Sequence, residues 1–469
     1  MEKKKLFTPK QLVYLFIGIA VAIIFFFMTP PEGLSPEGFH TLGLFLMAII
    51  WWVGNVFPDF VTAFWLMTML VITKCAPLNT VFSAYSGSVV WIVVPALAIG
   101  VALSMTGLLR RVVLKILSMF RGTWNSQVLA FLVAGNLVNP LIPSATAKIA
   151  IASPLVHTYS QEMGLTDKTK PAAGMFSAMW SSFGAAGPFF LTGTTMCFTM
   201  IGLLPEEYRG AWNFLHWLSA VWPWGIVWFI FSYVFIRLLF APKEEKPLSA
   251  EFLKEQYNAL GKMSRNEKIA AVVLVVCLIM WVSESWHGIS AALVALLGML
   301  VLLSTGVLDR LSFRSKVAWD AVVFIACNTG LGSVFSATGI TKWVGDTFGS
   351  YLEPLFNNIF LLIVVSIIVI TLLRFIFVSQ TALMTIFTVA CAPFAINAGM
   401  DPFIPGIICL TIVNVWNVTY HNTTMITAMT ASGNMAEFSD VRKMSLVYIL
   451  ACIVGMMACI PMWKILGML

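Results

Sequence analysis

Two polar stretches interrupt otherwise apolar, membrane-length sequence, and they share a pattern. One reads N-P-L-I-P-S-A-T-A-K over 139–148; the other reads R-F-I-F-V-S-Q-T-A over 374–382, roughly 235 residues later. Each holds a Ser-x-Thr-Ala knot, Ser144-Ala145-Thr146 in the first and Ser379-Gln380-Thr381 in the second. Hydroxyls beside a helix break are hydrogen-bond donors. The break itself aims free N–H groups and the positive end of a helix dipole at one spot. That chemistry suits an anion, a carboxylate above all. A second pair of breaks, L-T-G-T-T-M over 191–196 and Y-H-N-T-T-M over 420–425, adds Thr194, Thr195, Asn422 and Thr423 as candidate ligands. Paired interruptions at matching places in two halves point to a transporter's substrate site.

The ionisable residues agree. Lys148 follows Ser144 by one helical turn, on the same face; Arg374 precedes Ser379 by five residues; His421 lies inside the second break. A charge within a span is costly and marks a pathway or a partner. No Asp or Glu occurs over 142–160 or 355–400, so these residues form an unneutralised positive site that wants an anion. A single Ser or Thr more often knits helices together, and a basic side chain can snorkel to an interface. The repeat-equivalent pairing is what favours a binding role. The eight cysteines are scattered through apolar runs without a C-x-x-C pair, which gives no metal site and no disulfide framework. Walker, HExxH and GxSxG patterns are absent, against ATP-driven pumping and the commoner hydrolases. An integral-membrane enzyme acting on a lipid or quinone is a remote alternative, since the site lacks a general base. No cofactor is expected.

The chain is 59% hydrophobic and 10% charged, against about a quarter charged in soluble domains. It is therefore an all-α polytopic membrane protein. At about 20 residues per span, the apolar runs give about 11 transmembrane helices plus two re-entrant hairpins, near 123–163 and 355–398. The net charge of +7 reports basic cytoplasmic loops rather than nucleic-acid binding. The basic run at 1–5 and the apolar run at 12–28, with no small-residue cleavage site, make a first span with its amino end in the cytoplasm. An N-terminal repeat covers 1–240, a basic cytoplasmic linker 241–266, and a C-terminal repeat 267–469. S-M-T-G-L over 104–108 and S-A-T-G-I over 336–340 mark equivalent points. The amphipathic segment after the first is basic (Arg110, Arg111, Lys115, Arg121), and the one after the second carries Asp346 and Glu353. Opposite charge on equivalent segments is what an inverted-topology repeat predicts. Trp51, Trp52, Trp222, Trp224 and Trp463 read as interfacial anchors against lipid.

On these residues the chain resembles the divalent anion/sodium symporter family, the di- and tricarboxylate carriers, over nearly its whole length. In that family Ser-Asn-Thr at both hairpin tips grips substrate carboxylates and contributes to two sodium sites. Here the hydroxyls are kept and the asparagines are replaced by Ala145 and Gln380. The resemblance implies an elevator-type carrier: the hairpins, the interrupted spans and the sixth and last spans move as a transport domain against a scaffold, commonly as a homodimer. Within the family the residues favour the exchanger branch, which resembles bacterial 2-oxoglutarate/malate and citrate/succinate antiporters. There Lys148 and Arg374 would stand in for sodium. The alternative is a sodium-coupled dicarboxylate symporter, with Gln380, hydroxyls and backbone carbonyls as cation ligands. The expected location is the cell (inner or plasma) membrane. Succinate, malate, fumarate, 2-oxoglutarate, citrate and tartrate stay open as cargo.

Overall fold

The structure, a computed structural model, describes residues 7–469 apart from Ala211 and Glu245. The basic run at 1–5, on which the cytoplasmic amino end rests, lies outside the described residues. Regular structure among them is helical throughout.

The first half opens with α1 (Pro9–Phe27), α2 (Pro36–Val53) and α3 (Asp59–Ile72). It continues with α4 (Ser88–Thr106), α5 (Leu108–Leu117), α6 (Trp124–Val138) and α7 (Ala145–Glu162). The half closes with α8 (Lys170–Met179), α9 (Thr195–Leu203) and α10 (Phe214–Phe240). After the linker come α11 (Arg265–Val282) and α12 (Ala291–Ser304). The rest of the second half is α13 (Trp319–Ala337), α14 (Ile340–Phe356), α15 (Ile359–Leu373), α16 (Gln380–Asn397), α17 (Phe403–Ile412), α18 (Thr423–Ala431) and α19 (Phe438–Ile465).

Helix lengths repeat between the halves. The arms flanking each polar knot have 15 and 18 residues in both halves, and each interrupted span splits into pieces of 10 and 9. Both turns into the amphipathic helices are glycines in the left-handed region, Gly107 at φ +81° and Gly339 at φ +75°, where a Cβ is strained. The S-x-T-G repeat in the sequence is this shared corner.

Among the described residues six helices are long and apolar enough to cross a membrane: α1, α2, α10, α13, α16 and α19. The total reaches eight if two bent pairs count as single spans, α4 with α5 (bent 69°) and α14 with α15 (bent 106°). The eleven expected from apolar runs also include shorter helices such as α3 and α12 and the two interrupted spans; α8, α9, α17 and α18 each extend only about 15 Å at 1.5 Å per residue, half of a hydrocarbon core.

Two sets of helix contacts, joined by the packing of α9 on α13, position the site. In one, α10 lies along α19 and α8, and α8 wedges between the two arms α6 and α7; likewise α17 packs on both α15 and α16. In the other, α1 packs on α2, α2 on α3, α3 on α13, and α4 on α11 and α12. Apolar side chains on α1, α11 and α12, such as Phe16, Val275 and Leu297, are more than half exposed.

Two expectations change here. Of the five tryptophans read as interfacial anchors only Trp222 is exposed; Trp51, Trp52, Trp224 and Trp463 are buried by helix packing. Trp463 Nε1 donates to the Ala220 carbonyl at 3.0 Å, and Trp52 Nε1 to that of Asp59 at 3.3 Å. The basic helix α5 is not uniformly charged outward either. Arg111 turns inward, donating through Nε to Glu267 Oε1 at 2.9 Å and through Nη1 to the Gly261 carbonyl at 2.9 Å. An acidic partner from the linker end of α11 makes that burial tolerable.

Candidate functional site

The two tips are closed by different means. In the first, Pro140 and Pro143 remove N–H donors, and Ile142 before Pro143 is extended (φ −142°, ψ 117°). The freed carbonyls find partners in the interrupted span: Thr192 Oγ1 donates to Pro140 at 2.7 Å and the Thr195 N–H to Pro143 at 3.1 Å. The second tip has no proline. There the Arg374 guanidinium takes the carbonyls, Phe377 at 2.6 Å and Val378 at 2.9 Å, and also that of His421.

Each tip and each break ends in a capped helix. Ser144 Oγ accepts from the Ala147 N–H at 3.2 Å to cap α7, and Ser379 Oγ from the Ala382 N–H at 3.1 Å to cap α16. Thr194 Oγ1 accepts from the Met196 N–H at 3.4 Å to cap α9, and Asn422 Oδ1 from the Met425 N–H at 3.1 Å to cap α18. All four helix N-termini line one cavity of about 280 Å³, through Ser144, Ala145 and Thr146, Thr194 and Thr195, Gln380 and Thr381, and Thr424. The cavity has no charged lining residue. Its electrostatics come from the four N-terminal partial charges, each roughly half an elementary charge at full strength.

Ser379, Asn422, Thr423 and His421 line a neighbouring cavity of about 430 Å³, which shares Gln380, Thr381 and Thr424 with the first. A third cavity, also about 430 Å³, borders Pro143 and Ser144 and includes Lys316. Lys148 and Arg374 line none of the three. Lys148 is fully buried and donates to Asn139 Oδ1 at 2.5 Å and to the Gly193 carbonyl at 2.8 Å. It is thus turned away from the face that Ser144 presents. Neither cation has a carboxylate partner among the described residues. The His421 ring is buried, its two nitrogens without a hydrogen bond.

Behind the first tip, six residues of α8's continuation (Trp180–Ala185) form a π-helix, whose widened turn leaves carbonyls unpaired. Asn139 Nδ2 serves Ser182 at 2.8 Å and Trp228 Nε1 serves Ser181 at 2.9 Å. Asn139 thereby joins the Lys148 ammonium to the π-helix.

Three site residues escaped the sequence reading. Asn414 lines the central cavity and accepts from Asn422 Nδ2 at 2.7 Å. Lys316 ends a short basic helix, Arg310–Lys316, and gave no signal of its own. Asp59 accepts from Ser379 Oγ at 2.6 Å. It is the only acidic residue between Glu37 and Glu162, and that isolation in apolar sequence was a usable sign.

A family model described as the sodium:sulfate symporter transmembrane region matches residues 9–469. Dicarboxylate transporter 2, chloroplastic, of Spinacia oleracea is 24% identical over 356 residues, 74% of this chain and 63% of that protein. The putative malate transporter YflS of Bacillus subtilis is 24% identical over 358 residues, 72% of this chain and 73% of that one. Among solved structures, the YdaH transporter of Alcanivorax borkumensis superposes with a TM-score of 0.56 at 14% identity, covering 98% of this chain and 99% of the other. That likeness concerns the fold.

Proposed function

The chain belongs to the sodium:sulfate symporter family, a transporter family, and from that membership we propose that it exchanges di- and tricarboxylate anions, of the 2-oxoglutarate, malate and succinate class, across the cell membrane. The observation that carries this reading is the convergence of four capped helix N-termini on one cavity without a lining carboxylate. The relatives' names, a dicarboxylate transporter and a putative malate transporter, support the same cargo. One substrate carboxylate would accept from the Ser144 hydroxyl and the first N–H groups of α7, beside Thr194 and Thr195. The other would sit against Gln380, Thr381 and the starts of α16 and α18.

Lys148 and Arg374 act from one backbone layer behind, through the Gly193 and His421 carbonyls. Two buried cations without anions cost on the order of several kcal/mol to carry through a low-dielectric barrier. A bound dianion removes that cost, so the loaded carrier crosses and the empty one does not. Exchange follows without sodium. The moving body is α6–α10 with α15–α19, the scaffold is α1–α4 with α11–α13, and α5 and α14 are the hinge arms of an elevator. The halves are inverted repeats, the basic linker faces the cytoplasm, and the bare apolar faces of α1, α11 and α12 meet lipid or a second copy in a homodimer.

The test is uptake of radiolabelled succinate into proteoliposomes, empty or preloaded with dicarboxylate, with and without a sodium gradient, with sulfate as competitor. Uptake that needs internal dicarboxylate and ignores sodium is the expected result. Sodium-driven uptake into empty vesicles would sink the exchange mechanism. It would favour a sodium symporter instead, which the family's own description makes the second reading.

A further inference from the structure

Asp59 stands apart from the rest of the site. Among the residues lining the three cavities around the tips it is the only carboxylate. It comes from the first turn of α3, a helix packed on α2 and α13 rather than on either tip's own arms. Its backbone is pinned by Trp52 Nε1 at 3.3 Å, and its side chain reaches across to accept from Ser379 Oγ at 2.6 Å, 320 residues away in sequence.

A serine hydroxyl has one proton to donate. While Ser379 gives it to Asp59, it cannot give it to a substrate carboxylate. The Ser379 oxygen meanwhile accepts from the Ala382 N–H, which holds the hydroxyl at the start of α16. Asp59 and a substrate carboxylate are therefore competitors for one donor. The same cavity holds the buried His421 ring, whose nitrogens have no partner. The cavity itself, of about 430 Å³, has room for a carboxylate to arrive and for Asp59 to turn aside.

We propose that Asp59 is a resident carboxylate that holds the Ser379 tip in the unloaded protein and is displaced from it by the substrate's own carboxylate. Ser379 lies in the α15–α16 tip and Asp59 on the other helix group, so their hydrogen bond tethers one group to the other. Loading breaks the tether; unloading restores it. This rests on the carboxylate-transport reading of the same site. It adds a geometric reason for exchange: the empty tip is held in place by the neighbouring helix, not only penalised for its charge.

The experiment compares full-length wild-type protein with Asp59→Asn and Asp59→Ala. In ligand-free protein, amide hydrogen exchange through 377–383 should speed about tenfold in Asp59→Ala and less in Asp59→Asn, whose amide oxygen still accepts a weaker, neutral hydrogen bond. The apparent Kd for succinate should tighten about tenfold in the same order, because a competitor has been removed. Uptake into empty vesicles should rise relative to exchange. A residue with a merely structural role would loosen substrate binding rather than tighten it. Unchanged hydrogen exchange at the tip in both variants, or weaker succinate binding in both, overturns the assignment. If wild-type protein binds neither succinate nor malate, the transport reading fails, and the hydrogen-exchange comparison still decides whether Asp59 holds the tip.

Discussion

Lys148 and Arg374 reach equivalent points of the two halves from different arms of their tips. Lys148, on the helix after the first tip, donates to the Gly193 carbonyl; Arg374, before the second tip, donates to that of His421. Gly193 and His421 each end the short 3-10 turn just before the second piece of the interrupted span. The two cations thus lock tip to break in the same way, through nonequivalent sequence positions.

Lys148→Met leaves Asn139 Oδ1 and the Gly193 carbonyl buried without a donor, a loss of about 2 kcal/mol. We expect a lowered melting temperature and exchange reduced at least tenfold. Thermal unfolding with succinate present and absent separates the two effects, since ligand stabilisation should also shrink.

Arg374→Lys keeps the charge and loses the fork. One ammonium cannot hold the Phe377, Val378 and His421 carbonyls in the plane that a guanidinium does. Exchange should fall nearly as far as in Arg374→Ala. Recovery to wild-type rates in the lysine variant would show that charge alone matters there.

Ser144→Ala and Ser379→Ala each remove a cap worth about 1 kcal/mol. The Ser144 change should also weaken succinate binding about tenfold, measured by calorimetry. The Ser379 change should weaken it less, because Asp59 loses its hold at the same time.

Gly193→Ala is expected to abolish transport. A Cβ there would collide with the Gly187 carbonyl oxygen, which is backbone and cannot give way. An alanine at exposed Gly210, where nothing lies within 4 Å, serves as the neutral control in the same uptake assay.

Arg111→Ala should destabilise the protein by about 2 kcal/mol through lost charged hydrogen bonds to Glu267. The double variant with Glu267→Gln should lose less than the sum of the single changes. A double-mutant cycle on thermal stability reads that coupling.

Hydrophobicity was enough to read the helical class, and the paired Ser-x-Thr knots pointed to Ser144, Ala145, Thr146, Gln380 and Thr381 on the central cavity. Ser144 and Thr194 declare themselves because a cap is a local event: its partner lies two or three residues on. Asp59 does not, since its meaning depends on Ser379, 320 residues away. Lys148 was legible as a buried cation, but not its orientation, which is decided by Asn139 and by a carbonyl 45 residues distant. Apolar runs show where helices are buried but not whether each is continuous, so the breaks inside α8–α9 and α17–α18 had to be read from their polar residues. Trp224 and Trp463 misled for a related reason: an amphipathic ring suits a membrane interface and a packed helix contact equally well.

The caps around the central cavity are Ser, Thr, Ser and Asn, four side chains whose shared task is to present one oxygen. On the proposed binding mode the first main-chain amides of α7 and α16 are donors to the substrate, and no substitution among the coded residues except proline deletes an amide. Alanine scanning will therefore read the caps and under-report the recognition. Replacing single peptide links at the starts of α7 and α16 by esters would measure it directly.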